Sequence, residues 1–125
     1  MNKKEIISQQ APAAIGPYSQ AIMVGDLLFC SGVLGIDPTT NTLTPNISEQ
    51  TTQVLHNMQA ILAAAGLSLS NVVKTTVYLK NMDDFATMNS VYERFFDAPF
   101  PARVTIEVAR LPKDALVEID CIAHL

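Results

Sequence analysis

One arginine and several carboxylates stand within residues 100–119, in sequence that is otherwise apolar and strand-like. Arg103 follows Pro101-Ala102 and precedes Val104, so its side chain leaves the rigid start of a strand. A guanidinium there can hold a carboxylate by two parallel N–H bonds, a geometry that lysine does not reproduce. Its position also fits an intramolecular ion pair with Glu118 or Glu107, and position alone favours that reading. Glu118 lies between Val117 and Ile119, where desolvation raises a carboxyl pKa and suits it to proton transfer. An edge-strand charge that blocks aggregation fits the same place. Tyr18, after Gly16-Pro17, either presents its hydroxyl to a pocket or packs under its own loop, and packing is the reading its position favours. Asn89 either binds a ligand or satisfies buried backbone. Asp83-Asp84 reads as a charge pair at a helix N-terminus.

The elements that carry these side chains follow from hydrophobic periodicity. Alternation over residues 102–108 sets Arg103, Thr105 and Glu107 opposite Val104, Ile106 and Val108, and over residues 116–123 it sets Glu118 and Asp120 opposite Val117, Ile119, Cys121 and Ala123. Each strand is expected to bury its apolar face and show its polar one. Upstream, residues 5–7, 18–24 and 27–32 read as strands, the last two joined by the two-residue turn Gly25-Asp26. Residues 10–18 contain two prolines and a glycine and read as a shaped loop, and residues 32–45 are turn-rich and expected to be loop. Asn46 with Glu49 three positions on starts a helix, whose stripe Val54, Leu55, Met58, Ile61, Leu62 and Ala65 runs to a cap at Gly66. His56 falls off that stripe and is expected to be solvated. Residues 72–80 alternate as a strand. A second helix begins at Asp83 or Asp84, with Phe85, Met88, Tyr92, Phe95 and Phe96 on its core face and Asn89 within the same arc. The order β-β-β-α-β-α-β-β predicts an α+β fold, a mixed sheet covered on one face by two helices.

At 125 residues the chain is expected to form a single domain, residues 1–125. Charged residues make up 16% against 49% hydrophobic, with a mean hydropathy of +0.24, which points to apolar surface hidden in a homo-oligomer. The net charge of -4 and the lack of any Lys/Arg cluster argue against nucleic acid as a partner. No apolar run reaches the roughly 18 residues of a membrane span and no signal-type segment follows Lys3-Lys4, so a cytoplasmic location is expected. Cys30 and Cys121 read as buried free thiols, because neither CxxC nor His spacing suggests a metal site. No hydrolase elbow, phosphate loop or dinucleotide fingerprint is present. Spacing alone thus gives an anion-sized polar site and no reaction.

Five motifs in order carry a resemblance to a known family. They are Ala11-Pro12-Ala13-Ala14-Ile15-Gly16-Pro17-Tyr18-Ser19-Gln20, Ser31-Gly32, Val73-Lys74-Thr75-Thr76-Val77-Tyr78-Leu79, Asn81-Met82-Asp83-Asp84-Phe85-Ala86-Thr87-Met88-Asn89, and Phe100-Pro101-Ala102-Arg103 with Glu118-Ile119. Together they resemble the RidA (YjgF/YER057c/UK114) family over essentially the whole chain. The resemblance implies a chorismate-mutase-like fold with a six-stranded sheet, in which the final strand inserts between the third and fourth, and a homotrimer with ligand clefts between subunits. It implies cofactor-independent hydrolysis of 2-enamino or 2-imino acids, such as 2-aminoacrylate and 2-aminocrotonate with their imines, to 2-keto acids and ammonia. Arg103 would then clamp the substrate carboxylate and Glu118 would activate water, with Tyr18, Gly32, Asn89 and Thr105 lining the pocket. Thr105 stands where many members have cysteine. Val33-Leu34 follow Ser31-Gly32 where glutamine and proline are usual, and Asp97-Ala98-Pro99 is shorter than in many relatives. A small-carboxylate-binding regulatory module and an endoribonuclease or translation inhibitor are the competing functions.

Overall fold

The computed structural model describes residues 2–125. Its elements in chain order are β1 (Lys3–Ile6), β2 (Ala21–Val24), β3 (Leu27–Leu34), β4 (Ile36–Asp37), β5 (Thr42–Leu43), α1 (Ile47–Ala64), β6 (Val72–Leu79), α2 (Phe85–Tyr92), β7 (Ala102–Glu107) and β8 (Val117–His124). Six strands form one mixed sheet in the order β1-β2-β3-β8-β6-β7, and β4-β5 is a separate hairpin. The architecture is α+β, with both helices on one face of the sheet.

Local chemistry accounts for the ends of α1. The Asn46 side chain accepts from the Glu49 amide at 2.9 Å, satisfying a donor that the first turn leaves free. At the other end Gly66 has φ +75°, and the Gly66 and Leu67 amides donate back to Ala63 and Leu62, both at 2.9 Å. That is a Schellman cap, and it needs the left-handed residue that glycine supplies without a Cβ clash. The predicted stripe is buried, with Val54, Leu55, Met58 and Leu62 fully inaccessible. His56 is exposed and meets only the edge of Phe95.

Taken from the residues alone, adjacent strands at the C-terminus suggest a hairpin, whereas the observed sheet follows the order that the family resemblance implies. β8 lies between β3 and β6, antiparallel to both, and β7 runs parallel to β6 at the sheet edge. A parallel pair needs a crossover, and α2 supplies it. β8 takes the central place because Val117, Ile119, Cys121 and Ala123 are all buried beneath the helices. Cys30 and Cys121 are register partners on that face, both buried free thiols. Cys121 beside Cys30, together with burial, pushes the Cys30 thiol well up.

Three local expectations are corrected. The strand expected over residues 18–24 begins at Ala21, because Ser19 and Gln20 turn their polar groups into the loop. The segment expected to be loop over residues 32–45 holds the end of β3 and the short β4-β5 hairpin, which turns through Asn41 at φ +58°. Phe85 is 38% exposed rather than part of the helix core, since it lies over the edge strand β7 and not over the sheet centre.

The faces of β7 are also the reverse of the sequence expectation. Arg103 and Thr105 are half-buried under α2, while Val104 and Ile106 are exposed. Alternation assigns two faces but does not say which one a helix will cover. The open face of the sheet therefore carries Val104, Ile106, Leu27 and Phe29 as bare apolar side chains, an uncommon arrangement for an isolated chain.

Candidate active site

Arg103 sits at the junction of β7, β6 and α2. In the parallel register it lies beside Thr75, and α2 ends above it at Tyr92. Its guanidinium carbon is 4.9 Å from the Tyr92 ring centroid and 5.6 Å from that of Phe85, both within cation–π range. Among the described residues it makes no ion pair. The one salt bridge among the described residues is Arg110–Asp114 at 2.8 Å, and both of those groups are well exposed. The intramolecular pair that position favoured is thus absent: Glu107 accepts instead from the Met82 amide at 2.8 Å, and Glu118 is on the other side of the sheet. A cation held by ring faces keeps its N–H fork free for a planar anion. Beside it opens a cavity of about 330 Å³, lined by Asn89, Tyr92, Glu93, Phe100, Pro101 and Arg103. Asn89 Oδ1, in the lining of this cavity, is buried without a hydrogen-bond partner, as is Thr105 Oγ1, two residues along β7 from Arg103 on the same face. Such orphaned atoms are uncommon, and next to a free guanidinium they mark a place for a ligand. For Asn89 this favours ligand binding over the satisfying of backbone.

Glu118 belongs to β8, an interior strand, so it is not an edge-strand guard. Burial raises its carboxyl pKa above the ordinary glutamate range, and the negative charge of Asp120 on the same face adds to the rise. Asp120 is itself held by the Tyr78 hydroxyl, which donates to Oδ2 at 2.9 Å. Space for the Glu118 carboxylate comes from Gly32, at the irregularity where the β3-β8 register shifts between Cys30 and Val33. A Cβ at Gly32 would collide with that carboxylate.

Glu118, Gly32 and Tyr18 line a second cavity of about 500 Å³, walled mainly by the loop at residues 12–18 and by Val33, Leu34 and Ile36. Tyr18 lies against its own loop, as position favoured, and also borders the cavity. It is half exposed, its hydroxyl accepts from the Ile15 amide at a long 3.4 Å, and its ring faces the cavity. Two groups of predicted residues therefore emerge in one chain. Arg103, Asn89 and Thr105 come together at the sheet edge, and Tyr18, Gly32 and Glu118 come together elsewhere. Arg103 is level with Thr75 and Glu118 with Tyr78, an odd number of residues apart on β6, so the two side chains leave opposite faces of the sheet.

Sequence reading missed the buried amides that hold this framework. Gln20 accepts from the Ser8 amide at 2.7 Å and donates to the Pro12 carbonyl at 2.7 Å and the Ser8 carbonyl at 3.2 Å, fastening the loop that bears Tyr18. Asn57 donates to the Leu34 and Ile36 carbonyls, and Gln50 bridges the Thr44 carbonyl and the Leu116 amide just before β8. The one available signal was Asn57, three residues after Val54 and four before Ile61, a polar residue on the edge of an apolar helix stripe. Among the described residues no three His, Cys, Asp or Glu side chains converge as a metal site would require. No helix among the described residues is long and apolar enough to cross a membrane.

A family model described as Endoribonuclease L-PSP matches residues 8–125. A 2-iminobutanoate/2-iminopropanoate deaminase of Salmonella typhimurium is 49% identical over 123 residues, 96% of either chain. The chain belongs to the RidA/YjgF family. A RutC family protein of Pyrococcus horikoshii is 54% identical over 123 residues, 98% of either chain. Among solved structures, Escherichia coli TdcF with bound serine matches at a TM-score of 0.95 and 43% identity, over 98% of each chain. Membership of the RidA/YjgF family accounts for the whole described fold, and within it names that say deaminase stand beside names that say endoribonuclease.

Proposed function

We propose that this chain hydrolyses reactive 2-imino and 2-enamino acids to 2-keto acids and ammonia, in a homotrimer whose clefts join the Arg103 group of one subunit to the Glu118 group of the next. The observation that carries the reading is Arg103 itself, half-buried and without a carboxylate partner among the described residues, in a cavity it shares with the orphaned Asn89 Oδ1. The deaminase name of a relative 49% identical and the serine held by TdcF support a small α-amino-acid-like substrate. The exposed pairs Leu27 and Phe29 on β3 and Val104 and Ile106 on β7 supply apolar surface for subunit contact.

Arg103 donates two N–H bonds to the substrate carboxylate and fixes C2 in the cleft. Asn89 Oδ1 accepts an N–H from the imine nitrogen. Glu118, its basicity raised by burial and by Asp120, takes a proton from water as the water oxygen bonds to C2 and the C2=N electron pair moves to nitrogen. Glu118 returns that proton to nitrogen, giving the neutral carbinolamine. It then takes the C2 hydroxyl proton and passes it to nitrogen as the C2–N bond breaks, so that ammonia leaves and the O–H electron pair forms C2=O. Water and imine in thus balance 2-keto acid and ammonia out.

The test is a coupled assay with threonine dehydratase, following 2-ketobutyrate. Acceleration by the wild-type chain and its loss in Arg103→Ala support the reading. No acceleration at any protein concentration ends it.

A further inference from the structure

The feature that the deaminase reading leaves unused is the closed triangle under Arg103. Thr75, on β6, is fully buried, and its hydroxyl pairs with the Tyr92 hydroxyl at 2.8 Å. Tyr92 is the last residue of α2 and is itself 5% exposed. Its ring carries the guanidinium of Arg103, and Arg103 is the register neighbour of Thr75 across β6-β7. Helix end, inner strand and edge strand are thus tied to one another at three side chains.

A guanidinium that must greet a carboxylate has a packing problem. Left in solvent it keeps several rotamers, and ordering them on binding costs affinity. Paired to an internal carboxylate it is ordered, but its fork is occupied and its charge cancelled. An aromatic face orders the cation and leaves every N–H available. Phe85 offers such a face too, but it is 38% exposed and its ring is farther away. Tyr92 differs because its far end is fastened. Burial keeps its hydroxyl protonated, pushing its pKa up against the opposing effects of the Thr75 bond and the Arg103 charge.

We propose that Tyr92, locked by the Thr75 hydroxyl, is the positioning residue of the Arg103 clamp, holding the guanidinium at the cavity mouth without using its donors. The proposal rests on the reading of Arg103 as the carboxylate clamp. Removing the ring should then weaken substrate binding and spare the chemistry at C2. Removing only the hydroxyl pairing should have a smaller effect of the same kind.

Four variants of the full chain test this: Tyr92→Leu, Tyr92→Phe, Thr75→Val and Thr75→Ser. Tyr92→Leu is expected to raise KM about tenfold with kcat changed less than about threefold, the size of a desolvated cation–π contact. Tyr92→Phe restores most of that loss by returning the ring. Thr75→Val raises KM about threefold and Thr75→Ser restores it. A merely structural role would lower thermal stability and kcat in all variants while leaving KM in place, and that result overturns the proposal, as does a Phe variant no better than Leu. A second measurement does not depend on turnover: the Arg103 Nε–H proton, seen by NMR, is expected to be shifted upfield by the Tyr92 ring current in wild type and Tyr92→Phe and not in Tyr92→Leu. If wild type proves inactive, the deaminase reading fails by itself, and this resonance still decides the position of Arg103. An unshifted wild-type signal overturns the positioning role.

Discussion

Arg103 and Glu118 lie two strands apart on opposite faces of the same sheet, one under α2 and the other on the open side. A single chain therefore cannot bring them to one substrate, and the proposed chemistry needs a neighbour.

Subunit complementation follows from that relationship. Arg103→Ala and Glu118→Gln chains are each expected to be inactive alone. Unfolded together in equal amounts and refolded, they should regain about one quarter of wild-type activity, the share of interfaces that receive an intact residue from each side under random assembly. Activity regained without mixing of subunits would show the site to be internal to one chain.

Glu118→Gln should separate stability from activity. A carboxyl whose pKa is raised by folding binds its proton more tightly in the native state, so its contribution to stability is greatest in acid and is lost as pH rises through the native pKa. At pH 7 to 8 the glutamine variant is thus expected to melt higher than wild type, with the difference vanishing below the ordinary glutamate pKa. The half-open setting of Glu118 makes the gain small, on the order of a few degrees. Thermal melts across pH at fixed protein concentration read it out. A wild-type advantage at neutral pH would mean that Glu118 is stabilised as the carboxylate.

Gly32→Ala tests the space at the β3-β8 irregularity. Gly32 is not one of the residues at positive φ, so the backbone accepts alanine and the effect is steric, falling on the Glu118 carboxylate. The expected outcome is a tenfold or greater fall in kcat, taking about 1.4 kcal/mol per factor of ten, with KM less affected. An alanine variant with full kcat would remove Glu118 placement from the mechanism.

Gln20→Leu tests the fastening of the Tyr18 loop. Leucine leaves the buried Ser8 amide without its partner, a loss of about 1–3 kcal/mol. Faster hydrogen exchange at Ser8, together with a higher KM, is the expected pair of results. Unchanged exchange would show that the loop is held by other contacts.

Much of the fold was legible because it depends on local periodicity and local caps. The α1 stripe, the Asn46 and Gly66 caps, the Gly25-Asp26 turn and the alternation of β6 and β8 all follow from residues a few positions apart. Membership of the family was legible too, through motifs spread over the whole chain. The β4-β5 hairpin was not, because two-residue strands carry no period to read.

The sequence by itself also determined which residue types the site would hold, since Arg103 and Glu118 are charges that strand sequence does not otherwise need. Only the tertiary structure decided where they go. Alternation is a relative rule: it separates Arg103 and Thr105 from Val104 and Ile106 but leaves open which set lies under a helix. That choice was made by the crossover of α2 from β6 to β7, which covers the polar side of the edge strand and leaves the apolar side bare. The same crossover turned Arg103 from a candidate ion-pair partner into a cation resting on Tyr92, because packing brought it a ring face where the sequence offered only carboxylates.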